Sequence, residues 1–147
     1  MHSPIVSREV DSAEAMIELG RLLGMRLQPG DVVLLTGDLG AGKTTFMRGV
    51  GDGLGVRGPV TSPTFVIARR HPSLVGGPAL VHADAYRLGS VDEFEDLDLV
   101  DEDAVICVEW GRERAEGLSD RRLHVDIEIT GDSRVVTISG ENREVPL

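Results

Sequence analysis

One lysine, one cysteine and one asparagine occur among 147 residues, and each scarcity removes possibilities. With Cys107 alone, no internal disulfide can form. Its place in the apolar run Ala104-Val105-Ile106-Cys107-Val108 predicts a buried thiol on a strand and fits a reducing compartment. No Cys or His spacing matches a zinc site. No apolar stretch approaches the roughly 18 residues needed to cross a bilayer, and Met1-His2-Ser3-Pro4 lacks the basic start and apolar stretch of a signal peptide. A cytoplasmic protein without membrane contact is therefore expected. Residues 1–147 are expected to form a single domain. The net charge of -10 disfavours tight binding of this chain alone to DNA or RNA, because that affinity comes mainly from Lys and Arg neutralising phosphates. Any nucleic-acid role then needs a basic partner.

The lone lysine, Lys43, stands inside Gly37-Asp38-Leu39-Gly40-Ala41-Gly42-Lys43-Thr44, which fits the phosphate-loop pattern G-x-x-x-x-G-K-[ST] at every fixed position. An ammonium is a compact point charge on a flexible stem, suited to wrapping among phosphate oxygens, whereas guanidinium is a broad fork. The other basic residues are arginines, so lysine is kept where phosphate chemistry asks for it. Val32-Val33-Leu34-Leu35 precedes the loop as a continuous apolar run, the pattern of a strand covered on both faces of a largely parallel sheet. Phe46, Val50 and Leu54 follow at four-residue spacing on one helical face. Gly49, Gly51 and Gly53 each cost that helix about 1 kcal/mol against alanine, so packing against the sheet is expected to hold it.

Around this unit, Ile5 to Val10 reads as a short strand, and Asp11 or Ser12 caps a helix reaching about Met25. Gln28-Pro29-Gly30-Asp31 is a turn. Strands at Thr64 to Arg70 and Ala79 to Ala85 form a hairpin, 92–103 is an acidic helix with Phe94 and Leu97 inward, and Val105 to Val108 is a core strand. Leu123, Val125, Ile127 and Ile129 alternate with polar residues as a half-exposed strand, which pairs with Ser133 to Ser139 through Gly131-Asp132. The expected fold is α/β: a P-loop NTPase-like mixed sheet flanked by helices, with a C-terminal antiparallel hairpin.

Asp38, Leu39, Gly40, Ala41, Gly42, Lys43, Thr44 and Thr45 are candidates for phosphate contact. Thr44 also offers a hydroxyl to Mg2+. A guanine-reading Asn-Lys-x-Asp motif is impossible, since the lone lysine is already in the loop and the lone asparagine is Asn142. ATP is then the better nucleotide. The magnesium carboxylate belongs at the end of a core strand, where Glu109 follows Val105-Ile106-Cys107-Val108 and Asp84 follows Leu80-Val81-His82-Ala83. His82 reads as a hydrogen-bonded core histidine. A kinase of small molecules and a non-hydrolysing assembly module share the same loop and stay open on these residues alone.

The blocks Gly37 to Thr45, Ser62-Pro63-Thr64-Phe65, His82-Ala83-Asp84-Ala85-Tyr86-Arg87-Leu88 and Val108-Glu109-Trp110-Gly111, in this order, resemble the TsaE family, also called YjeE. The resemblance implies a bacterial ATPase needed for N6-threonylcarbamoyladenosine (t6A) at position 37 of transfer RNAs that read codons beginning with A. It implies action on a TsaD and TsaB pair, where TsaD carries the transferase site, with transfer RNA met only through that complex. By the same resemblance Lys43 binds phosphate, Thr44 and Glu109 hold magnesium, Asp84 supports hydrolysis and Thr64 senses the terminal phosphate. Trp110 would form a wall beside the nucleotide, Arg112 is a weaker candidate there, and adenine contacts would come from around Ser12 and the late strands. The chain has Leu97-Asp98 where many relatives have glycine after leucine, so no partner contact is carried over to that loop.

Overall fold

The structure, a computed structural model, describes residues 5–37, 40–56, 58, 68–84, 103–109 and 122–147. The elements run β1 (Val6–Val10), α1 (Ala13–Gly24), β2 (Val32–Gly37), α2 (Lys43–Leu54), β3 (Ala68–His71), β4 (Ala79–Asp84), β5 (Ala104–Glu109), β6 (Arg122–Thr130) and β7 (Ser133–Glu141). They form one mixed sheet in the order β1-β7-β6-β2-β5-β4-β3. The central strands β6, β2, β5 and β4 are parallel, while β7 pairs antiparallel with both β6 and β1, and β3 with β4.

The parallel centre explains the continuous apolar runs. Alternate side chains of a strand leave on opposite faces, so a strand buried on both needs apolar residues at every step. Val33, Leu35, Leu80, Val105 and Cys107 join Phe46, Met47 and Leu23 in one cluster on the side of the helices. Val32, Leu34, Val81, Ala83, Ile106 and Val108 form a second cluster on the other face. Full burial of each large aliphatic side chain contributes about 2 kcal/mol. The edges carry charge instead: Arg8 and Glu9 on β1, and Arg69 and Arg70 on β3, are exposed, which discourages pairing with another chain.

Ser12 caps α1, its Oγ accepting from the Ala15 N–H at 3.1 Å, and Met16, Leu19 and Leu23 supply the buried stripe. In α2, Phe46, Val50 and Leu54 are buried as their spacing requires. The sequence shows these glycines only as a cost to the helix; the structure gives a cause for two of them. A Cβ on Gly49 would lie 2.1 Å from the Ile17 carbonyl oxygen and one on Gly53 2.2 Å from that of Arg21. Gly20 and Gly24 reciprocate, at 2.3 Å from the carbonyl oxygens of Phe46 and Val50. The two helices therefore touch backbone to backbone, and α2 is held by α1 as well as by the sheet.

One other expectation changes in part, and two fall wholly or partly outside the described residues. The strand expected from Thr64 begins at Ala68 among the described residues, and 61–67 lie outside them. The antiparallel pairing of β3 with β4 agrees with the expected hairpin. In the strand expected to be half-exposed, Leu123, Val125 and Ile127 are buried and Glu128 and Thr130 exposed as the alternation requires, but His124 is buried and Ile129 is exposed. The acidic segment 92–102 lies outside the described residues.

The C-terminal tail returns to the turn before β2. Arg143 grips the buried Asp31 with Nε on Oδ1 at 2.8 Å and Nη2 on Oδ2 at 2.9 Å, while the Gln28 N–H also donates to Asp31 Oδ2 at 2.7 Å. Val145 is buried beside them in sequence. No described helix is long and apolar enough to cross a membrane.

Candidate nucleotide site

β2 delivers the chain to Gly37 and α2 begins at Lys43. Gly40 has φ +82 and Gly42 φ +107, left-handed values that a side chain strongly resists. A Cβ on Gly40 would meet nothing within 4 Å, so open space lies against the loop. Gly42 is the N-cap of α2 and brings no side-chain hydrogen bond. The first N–H groups of an α-helix have no partner within it, and with no capping side chain they face an anion site backed by the positive end of the helix. Lys43 is buried, with Nζ donating to the Gly37 carbonyl oxygen at 2.6 Å. That contact anchors the ammonium at the mouth of the loop.

One strand away, Glu109 ends β5. Its register partner on β2 is Leu35, two residues before Gly37, and on β4 it is Asp84. Glu109 is buried, and its Oε2 lies 2.9 Å from Nε2 of His82, which is fully buried. Burial, with Glu109 and Asp31 nearby, pushes the Cys107 thiol far up, so this cysteine is an inert core residue.

Beside the loop a cleft of about 300 Å³ is lined by Val10, Asp11, Ser12, Ala13, Met16, Gly40, Ala41, Gly42, Thr45, Asp132 and Arg134. Its walls are the start of α1, the phosphate loop and the β6–β7 turn. That volume suits a small ligand.

The donor set fits a magnesium nucleotide. An uncapped helix start and a buried ammonium match phosphate, and the oxygens of Thr44 and Glu109 match a hard cation. Among the described residues no three acidic, His or Cys side chains form a cation cage. Magnesium ordinarily needs none, because substrate phosphates and waters complete its octahedron.

The predicted residues divide as follows. Gly40, Ala41, Gly42 and Thr45 line the cleft with Ser12, and Lys43 and Thr44 open α2. Ser12 also has a structural reason, as the cap of α1. Asp84 stands in register with Glu109, and only its backbone belongs to the described set. Asp38, Leu39, Thr64, Trp110 and Arg112 lie outside the described residues. Sequence reasoning placed Asp132 in the β6–β7 turn but named neither it nor Arg134, at the start of β7, as a site residue; the only signal for them was the expectation that late strands reach the base.

A parallel strand running through a glycine loop into a helix, in a mixed sheet with the two described helices on one face, defines an α/β protein of the P-loop type. The sequence profile of the family described as threonylcarbamoyl adenosine biosynthesis protein TsaE matches residues 10–137. The chain belongs to the TsaE family. It is 59% identical over 133 residues to the tRNA threonylcarbamoyladenosine biosynthesis protein TsaE of Streptomyces coelicolor, covering 85% of this chain and 90% of that one. The protein of the same name from Bacillus subtilis is 43% identical over 118 residues, covering 78% and 72%. A crystal structure of Bacillus subtilis YdiB superposes with a TM-score of 0.76 at 32% identity, covering 96% of this chain and 88% of that one.

Proposed function

We propose that this chain is the ATP-binding and ATP-hydrolysing component of t6A formation at position 37 of transfer RNAs reading codons that begin with A, acting in the cytoplasm on a TsaD–TsaB complex. The observation that carries the ATP-binding part is the uncapped start of α2 behind Gly40 and Gly42, with the buried Lys43 ammonium beside it and a carboxylate one strand away. Family membership supplies the pathway.

In this reading Lys43 neutralises the outer phosphates and the α2 N–H groups bind them. Thr44 and Glu109 hold Mg2+, which offsets charge on the phosphate oxygens when bound. Asp84, in register with Glu109, orients the attacking water or the cation's water shell. Thr64 reports the terminal phosphate, and Trp110 and Arg112 flank the nucleotide. The cleft beside the loop takes the ribose and base between Ser12, Asp132 and Arg134. The net charge of -10 supports leaving transfer RNA to the partner proteins.

The test is to mix the purified chain with TsaB and TsaD and follow ATP hydrolysis and modified transfer RNA together. Slow hydrolysis alone, raised by the pair and accompanied by repeated rounds of modification, is the expected result. No stimulation and no added turnovers would refute the reading, and phosphate release stimulated by a small metabolite instead would make the chain a kinase.

A further inference from the structure

β4 and β5 run through the centre of the sheet, and most of their residues are apolar, as burial on both faces demands. Besides Asp84 at the end of β4, His82 and Glu109 break this rule. They belong to the same face as Leu80, Val105 and Cys107, the face that carries the helices. In the ladder His82 stands opposite Cys107, so Glu109 is its diagonal neighbour, two residues further along β5. His82 is 0% exposed and Glu109 5%, and Nε2 meets Oε2 at 2.9 Å.

The other ring nitrogen, Nδ1, is buried and has no hydrogen-bond partner among the described residues. That asymmetry assigns the proton. A proton on Nδ1 of the neutral ring would orphan a buried donor and set two acceptors against each other across 2.9 Å. With the proton on Nε2, the ring donates to the carboxylate and forfeits only an acceptor.

A core-filling role does not account for this choice. Leucine or methionine would fill similar space on an apolar face without stranding Nδ1. The specific product of a histidine here is one rigid N–H, aimed at one oxygen of the residue that ends β5. Glutamate has three rotatable side-chain bonds, and a fixed donor on Oε2 restrains them before any ligand arrives.

We propose that His82 is a positioning residue: its Nε2–H holds Glu109 through Oε2 and leaves Oε1 as the oxygen offered to the nucleotide-bound cation. The inference rests on the ATP site proposed above and adds a residue that touches neither nucleotide nor metal.

The experiment compares His82→Gln with His82→Asn. A glutamine amide reaches about as far as Nε2 and can keep the donor on Glu109; an asparagine amide stops near the level of Nδ1 and cannot. His82→Leu, of similar volume and with no donor, is the third arm, and Leu80→Val controls for a modest loss of core packing on the same face. Binding of a fluorescent ATP analogue is measured with EDTA and across a Mg2+ titration, and ATP hydrolysis is measured across the same titration. The expected result is unchanged affinity in EDTA for every variant, with the Mg2+ needed for half-maximal tightening raised about 10-fold or more in His82→Asn and His82→Leu. His82→Gln should stay within about 3-fold of wild type, and Leu80→Val should not move this value.

Equal Mg2+ dependence of His82→Gln and His82→Asn would overturn the inference even if His82→Leu does not fold. So would a Mg2+ shift in Leu80→Val as large as that in His82→Asn. A wild-type chain that binds no nucleotide in either condition overturns the proposed function and this inference with it. Nucleotide binding that is intact in a metal-insensitive set of variants overturns this inference alone.

Discussion

Among the described residues are two histidine–glutamate pairs of almost the same length. His82 and Glu109 meet at 2.9 Å in the parallel centre, and His124 and Glu141 at 2.8 Å on the antiparallel hairpin. Both are diagonal neighbours on adjacent strands, and both histidines bury an Nδ1 with no partner among the described residues. Their surroundings differ. The inner side chains are 0% and 6% exposed and the outer ones 10% and 45%. Glu141 also accepts from Arg122, so the outer carboxylate has water and a guanidinium to share its charge. Geometry alone therefore does not set the value of such a pair. Among the described residues the inner carboxylate is held by His82 away from water, whereas the outer one is a replaceable part of a solvated rim.

The largest expected effect lies at the centre. Lys43→Ala removes the ammonium placed at the loop, and loss of charged hydrogen bonds to two phosphates should weaken ATP binding by about 4 kcal/mol, or roughly 1000-fold. Equilibrium titration with a fluorescent ATP analogue checks this; affinity within 10-fold of wild type would remove the loop from the site. Substitution of His124 should leave the same titration unmoved, which is the contrast drawn above.

The next effect falls on the support of that centre. Gly49→Ala forces a Cβ to 2.1 Å from the Ile17 carbonyl oxygen, where only backbone can yield. Overpacking against backbone should cost about 3 kcal/mol, read as a lower urea midpoint. A wild-type midpoint would show that α1 and α2 separate freely. Arg143→Ala follows at about 2 kcal/mol, because it strips the bidentate partner from the buried Asp31 and leaves it the Gln28 N–H. That variant should lose stability while keeping nucleotide affinity, and a parallel loss of both would tie the tail to the site.

Local pattern made the phosphate loop, the core strand before it, the cap at Ser12 and the hairpin turn at Gly131 readable, since each is settled within a few residues of chain. Pairing across long separations was not. Nothing near residue 122 says that β6 lies parallel to β2, or that His124, first read on the exposed side, is buried. The glycines at 20, 24, 49 and 53 carry an i, i+4 spacing in both helices, a signal of close approach that reads locally only as a helix penalty. His82 and Glu109 are 27 positions apart, so their contact required the strand order β5-β4 before it could be seen.

The smallest effect tests the rim itself. Arg122, and after it His124, hold the Glu141 carboxyl below the usual carboxylate range. A depressed folded-state value means that unfolding raises proton affinity at this group. Its contribution is therefore complete above the ordinary carboxylate range and is lost as pH falls through the folded value. Because the side chain is 45% exposed, solvent screening limits that contribution to about 0.5 kcal/mol. Glu141→Gln should lower the melting temperature slightly at neutral pH and converge toward wild type under acid, where both chains carry an uncharged group. Nucleotide affinity and its Mg2+ dependence should stay at wild-type values throughout. Melting curves that keep the same separation from neutral pH to acid would show that the outer pair has no electrostatic role, and a change in Mg2+ dependence would erase the distinction between rim and centre.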